Sequence, residues 1–159
     1  MDYEMIFSAI ALTLVIIIIV LAYRFFKKKK ALPYKKKYIL TKNELVFYQK
    51  LKPVADKYGY NIVAKIRLAD LVEVDTSQTK EYGKYFPKIS SKHIDFGLVN
   101  PENMEVLYLI ELDDSSHQRA DRIERDKFVN ALCQKVGYTL IRTYNDTEEV
   151  ERVLSGKKK

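Results

Sequence analysis

Residues 5–23 contain no charged side chain, and positions 14–21 are leucine, valine and isoleucine throughout. No other stretch narrows the possible folds so far. Nineteen residues of α-helix reach about 28 Å, close to the roughly 30 Å hydrocarbon core of a bilayer. A core helix of a soluble domain is rarely so uniformly apolar. A cleavable signal peptide usually opens on basic residues, has a shorter apolar centre and leaves through small residues. Here the opening is acidic (Asp2, Glu4), and the exit is Arg24, Phe25 and Phe26 followed by lysines at 27–30. Residues 1–26 therefore read as a retained transmembrane helix. The lysines at 27–30 and 35–37 crowd its C-terminal side, which the positive-inside tendency assigns to the cytoplasm. The expected topology is single-pass in the cell membrane, N-terminus outside, with the C-terminal domain cytoplasmic.

The net charge of +7 belongs to this flank. Residues 1–40 carry 8 basic and 2 acidic side chains, whereas residues 41–156 carry 17 and 19, a net −2. The basic excess thus points to an anionic membrane surface beside the anchor. It is no argument for nucleic acid. Lysines 157–159 form a short basic tail. A single cysteine, Cys133, supplies neither a disulfide framework nor a cysteine metal set, in keeping with a reducing compartment. Its helical context makes it a core residue.

Residues 27–40, with their lysine runs and Pro33, read as a juxtamembrane linker. The domain, 41–156, opens on Thr41 and Glu44, a capping box. Leu45, Tyr48, Leu51, Val54 and Ala55 follow at helical spacing, and Gly59 suits a C-cap. Pro53 is expected to kink or divide this helix. Residues 60–66 read as a strand, and 68–74 as its extension or a short helix. Residues 75–88, polar with Gly83 and Pro87, read as a surface excursion. Strands are expected at 89–99, 105–112 and 138–143, the middle one central in a sheet. A helix capped by Ser115 and Gln118 should run to about 136, and a closing helix from 146 to 154. The order is α-β-β-β-α-β-α.

The chemistry gathers where the third strand ends. Glu111, Asp113 and Asp114 are three carboxylates within four positions, and a buried cluster of that kind needs a cation, a proton or a basic partner. Alternation along a strand puts Glu111 and Asp113 on one face, and a hairpin with the second strand lets Asp95 approach Glu111. Converging carboxylates suit Mg²⁺ or Mn²⁺. Such an ion stabilises charge on a phosphodiester and helps to ionise an attacking water. Strand-end acids are also commonly just solvated, so a purely structural cluster stays open. His117, Asp121 and Arg125 recur at i, i+4, i+8, a stripe that serves equally as a polar catalytic face or as a lock between helix and strand. Arg142 is placed to meet a phosphate or to pair with an acid.

The order α-β-β-β-α-β, with Asp95 on the second strand and Glu111-x-Asp113 ending the third, resembles the PD-(D/E)XK or restriction-endonuclease-like superfamily. More closely, residues 92–96, 110–117, 124–126, 137–138 and 140–142 resemble a bacterial family, domain of unknown function DUF2726, whose members often carry an N-terminal membrane segment. The likeness covers roughly 41–143. It implies an α/β fold with a restriction-endonuclease-like core, a mixed central sheet flanked by helices, beside the transmembrane helix. It implies a membrane-anchored, metal-dependent nuclease acting on nucleic acid, with Asp95 and Glu111 holding Mg²⁺ or Mn²⁺; Asp113 would be a third ligand or a group just behind the ligands. His117 and Arg125 would orient water or phosphate. Glu44 is either the helix cap or the first-helix carboxylate that some superfamily members use. One departure stands out: the position two after Glu111, usually lysine in that superfamily, is Asp113. Lys92 and Lys127 are poorly spaced to replace it. The alternative is a catalytically inactive binding module on the same fold, tethered to the membrane.

Overall fold

Where an uncharged run, a polar linker and an amphipathic pattern follow one another, the chain divides into two units, 1–37 and 38–159, in a computed structural model that describes residues 2–27, 32–113 and 120–156. The first unit contains one helix, α1 (Tyr3–Lys27), long and apolar enough to cross a membrane. None of its residues is buried, and Glu4 in its first turn and Arg24 and Lys27 in its last complement the helix dipole.

The second unit opens with α2 (Lys42–Lys57) and its capping box. The Thr41 hydroxyl accepts from the Glu44 amide at 3.3 Å, and Glu44 Oε2 accepts from the Thr41 amide at 3.0 Å. Gly59, at φ 75°, ends the helix. The Gly59 amide donates to the Asp56 carbonyl and the Tyr60 amide to that of Ala55, the paired bonds of a Schellman motif. Two expectations about α2 fail. It runs unbroken through Pro53, because Pro53 and Gln49, whose carbonyl loses its amide partner, are both exposed to water. Its core face is Phe47, Leu51, Val54 and Ala55, while Leu45 is exposed.

Next come β1 (Asn61–Arg67), a 3₁₀ turn (Leu68–Asp70), α3 (Tyr82–Ser90), β2 (His93–Val99) and β3 (Val106–Leu112). After them follow α4 (Ala120–Val136), β4 (Thr139–Thr143) and α5 (Glu148–Leu154). α3 corrects the sequence reading twice. The excursion at 75–88 contains most of a helix, and residues 89–92 do not begin the next strand, since buried Ile89 lies in the last turn of α3. Phe86 and Ile89, three apart, both pack into the core, which is a helical period. The start of the helix expected from Ser115 and Gln118 lies outside the described residues, as does the tail at 157–159. α4 closes with Gly137 at φ 86°, and the Tyr138 amide reaches the Cys133 carbonyl.

The strands form one mixed sheet in the order β1-β2-β3-β4; β2 is antiparallel to both neighbours and β4 is parallel to β3. One face packs Phe96, Leu98, Ile110 and Ile141 against α2 and Val150 of α5. The other packs Leu109 and Ile94 against Ile89 of α3 and Val129 and Cys133 of α4. The domain is thus a mixed α/β sandwich, with two apolar cores walling in the sheet.

Candidate functional site

Strict alternation breaks twice in this sheet: at Leu107, where Val106 packs under α4 but Tyr108 under α2 and the β2–β3 register shifts, and, of more consequence for the site, between 64 and 66 and between 94 and 96. Ala64 and Phe96 belong to the core under α2, yet Ile66 and Ile94, each two residues away, belong to the core under α4. Between them sit Lys65 and Asp95. Lys65 has φ 57°, a left-handed conformation costing a non-glycine residue about 1–2 kcal/mol. The β2–β3 pairing stops at Phe96 and Ile110, and the Asp95 carboxylate takes over the next ladder position, accepting from the Leu112 amide at 3.1 Å. Counting faces by twos therefore does not carry through Asp95. That is the reason Lys65 is invisible to a parity argument.

The turned-over backbone aims Lys65 at two acids. Its ammonium donates to Asp95 Oδ1 at 2.9 Å and to Glu44 Oε1 at 2.8 Å. Glu44 is the helix cap, as one of its two sequence readings has it, and its other carboxylate oxygen holds Lys65. Burial pushes the Glu44 carboxyl up, but the Lys65 and Thr41 hydrogen bonds outweigh it and hold the group below its ordinary range. Lys65 is pushed down by burial and raised further by Glu44 and Asp95, with a net rise, so it remains an ammonium at neutral pH. Lys65 was missed in the sequence. The available signal was a lone charge inside the apolar run of β1.

A second set of pairs lies at the β3–β4 end. Glu111 is only 4% exposed and stands in register with Arg142 on the parallel β4. Arg142 Nη2 lies 3.3 Å from Glu111 Oε2, and its Nη1 donates to Asp113 Oδ1 at 2.8 Å. Asp126 Oδ1 on α4 accepts from Arg142 Nη2 at 3.3 Å, and Asn130 Oδ1 from its Nε at 3.2 Å. Arg125, the residue before Asp126 on α4, reaches Glu111 Oε1 and the His93 carbonyl, both at 3.4 Å. Burial raises the Glu111 carboxyl; Arg142 and Arg125 pull it back, Asp95 and Asp126 push it up, and the net direction is upward.

Asp95, Glu111, Asp113 and Arg125 thus lie at one end of the sheet, while His117 and the Asp121 side chain lie outside the described structure. Arg142 pairs with acids, the second of its two readings. Cys133 is buried, as read. Lys127 is exposed, and Lys92 reaches the Lys88 carbonyl at 2.8 Å, so neither stands in for the missing lysine on Asp95. Among the described residues no three of His, Cys, Asp and Glu converge on one point. Beside the acids opens a polar cleft of about 490 Å³, lined by Lys65, Ser91, Lys92, His93, Asp95 and Arg125. In a domain of net −2 this concavity is locally cationic.

Fold and site together define a mixed α/β domain with a chain of alternating acids and bases across its strand ends, beside an open cationic cleft. The chain belongs to the family described as "Protein of unknown function (DUF2726)", whose model matches residues 36–156. No curated protein and no solved structure matches it.

Proposed function

We propose that this chain is a membrane-anchored phosphodiester hydrolase of the PD-(D/E)XK type, dependent on Mg²⁺ or Mn²⁺ and acting on nucleic acid from the cytoplasmic side. One observation carries the reading: Lys65 is held in a strained backbone conformation with its ammonium on Asp95, beside Glu111, at the mouth of the cationic cleft. Strain at a site surrounded by titratable groups is where function is to be sought. The sheet, two antiparallel pairs and one parallel pair in sequence order, also suits a restriction-endonuclease-like core.

The donor set suits a hard cation. Mg²⁺ keeps several waters and takes one or two carboxylates together with substrate phosphate, so Asp95 and Glu111 suffice without a closed cage. Asp113 is either a third ligand or the group that fixes Arg142. When bound, the ion would stabilise charge on the phosphate and lower the pKa of a water. The rest falls to the chain. Lys65, too basic to accept a proton, orients the attacking water by donation and offsets the acids in the role that Asp113 leaves vacant. Arg125, half-exposed at the cleft, positions a phosphate oxygen, and His117 would share its role on water or phosphate. Glu44 holds Lys65 in place.

The chain reconstituted in lipid nanodiscs should cleave a labelled oligonucleotide with Mn²⁺. Asp95→Asn, Glu111→Gln and Lys65→Ala should each lower the rate by at least about a hundred-fold, the scale of one lost electrostatic or proton-transfer group. A specific observation favours a rival: the carboxylates of Asp95, Glu111 and Asp113 already meet Lys65, Arg125 or Arg142, as a non-catalytic binding module would have them. Calorimetric titration with Mn²⁺ decides. No heat of binding at millimolar metal would sink the hydrolase reading.

A further inference from the structure

The later half of the excursion between the 3₁₀ turn and β2, residues 80–92, concentrates basic charge. Lys80, Lys84, Lys88 and Lys92 recur every fourth residue, and Glu81 is the only acid among residues 80–92. The segment carries +3, so the remainder of the −2 domain carries −5. α3 turns Phe86 and Ile89 into the core, and Tyr82 stacks on Phe86 at 5.1 Å. The opposite face keeps Lys84 and Lys88 in water, each 5.6 Å from the Tyr85 ring. Tyr82 and Tyr85 remain 47% and 39% exposed. Beside Tyr85 a mostly apolar groove of about 470 Å³, lined by Val72, Val74, Phe128 and Leu132 with Glu73, Asp75 and Lys135 also on its walls, continues the non-polar strip.

We propose that this lysine–tyrosine face of α3 docks the domain on anionic lipid headgroups. Tyrosines between lysines suit the headgroup layer, where the ring is amphipathic and the amines meet phosphate. Each lysine near an anionic leaflet contributes on the order of 1 kcal/mol of attraction, and the acidic remainder of the domain is repelled. The face therefore sets an orientation as well as an attraction. Reach favours a lipid partner over a soluble polyanion. Residues 28–41 extend at most about 50 Å, so an anchored domain never leaves the membrane's neighbourhood. Weak contacts then act at high effective concentration. This inference rests on the anchoring part of the proposed function and not on hydrolysis.

The chain has no tryptophan, so Tyr85→Trp is a single reporter. The full chain would be placed in nanodiscs of phosphatidylcholine, or of phosphatidylcholine and phosphatidylserine at three to one. The expected result is a blue-shifted emission, quenched by brominated lipid, in the phosphatidylserine discs alone. Adding Lys84→Gln and Lys88→Gln should reduce the docked-to-undocked ratio about thirty-fold, two lysines' worth, while Lys52→Gln on α2 should leave it unchanged. The same emission in both discs overturns the proposal. So does a shift produced by a single-stranded oligonucleotide in phosphatidylcholine discs and not by phosphatidylserine, which would give the face to nucleic acid. Failure to enter either disc rejects anchor and docking together, whereas entry without a shift rejects docking alone.

Discussion

Lys65 is the residue on which the site turns, and its backbone makes its role separable from its charge. At φ 57° a side chain pays a steric penalty that glycine escapes. Removing the ammonium leaves Glu44 and Asp95 without their shared partner, a loss of roughly 1–3 kcal/mol for partly buried groups. Lys65→Ala suffers this loss and keeps the strain; Lys65→Gly suffers it and sheds the strain. Urea unfolding should therefore find the glycine variant about 1 kcal/mol more stable than the alanine variant. Ordinary strand preference predicts the reverse order, so the ranking alone decides. Glu111 offers a second measurement. Its folded carboxyl stands above the ordinary 4.5 because burial outweighs Arg142 and Arg125. A raised acid binds its proton more tightly when folded, so its stabilising contribution is whole below the unfolded value and fades as pH rises through the folded one. Glu44 is lowered and works in the opposite sense, contributing above its unfolded value and losing that contribution as pH falls. Glu111→Gln should accordingly gain stability relative to the parent as pH rises from about 4 to 8 in chemical denaturation. A constant gap between the two curves would contradict a raised Glu111.

Among the elements, β1 and β2 show how one backbone irregularity propagates. Because Lys65 turns the strand over, Ile66 lies across Gly97, and a Cβ built there would meet the Ile66 Cδ1 atom well inside van der Waals contact. Gly97→Ala should destabilise the domain by about 1 kcal/mol, near the lower end for overpacking because the offending atom ends a flexible side chain. Lys65→Gly should leave that penalty in place if the left-handed backbone persists, and a double-mutant cycle in urea checks it. The same irregularity separates what the sequence made legible from what it did not. Thr41 with Glu44 and Gly59 with Gly137 announce helix ends by local hydrogen-bond chemistry, and they end helices here. A nearly continuous apolar run at 106–112, and the Tyr, Thr, Leu and Ile that open 138–143, announce strands. Asp95 could be brought towards Glu111 because the second and third strands read as a hairpin, although their pairing stops at Phe96 and Ile110. Lys65 could not be found that way, since alternation assumes an unbroken pleat. α3 hid behind Gly83 and Pro87, residues that usually break helices and here lie on its exposed side. Pro53 misled for the same reason.

The whole molecule is a charge gradient along the chain. Before the apolar run stand Asp2 and Glu4 with no lysine or arginine; Arg24 and seven lysines follow it within residues 24–37. Topology is decided by such short-range counts of lysine and arginine, and acids contribute little. The count here is entirely one-sided, so a membrane-inserted chain should carry its domain on the cytoplasmic face without a mixed population. Protease added to sealed cells should leave the domain intact, and the same protease should digest it once the membrane is permeabilised. If the lysines at 27–30 and 35–37 set the orientation, it should be reversible by design. Replacing those seven by glutamine, and Asp2 and Glu4 by lysine, inverts the count while leaving the apolar span and the folded domain untouched. A large fraction of the domain should then become digestible in sealed cells. If the domain stays protected, something other than flanking charge holds it inside, such as folding before insertion, and the assignment of sides from the lysines would have to be abandoned.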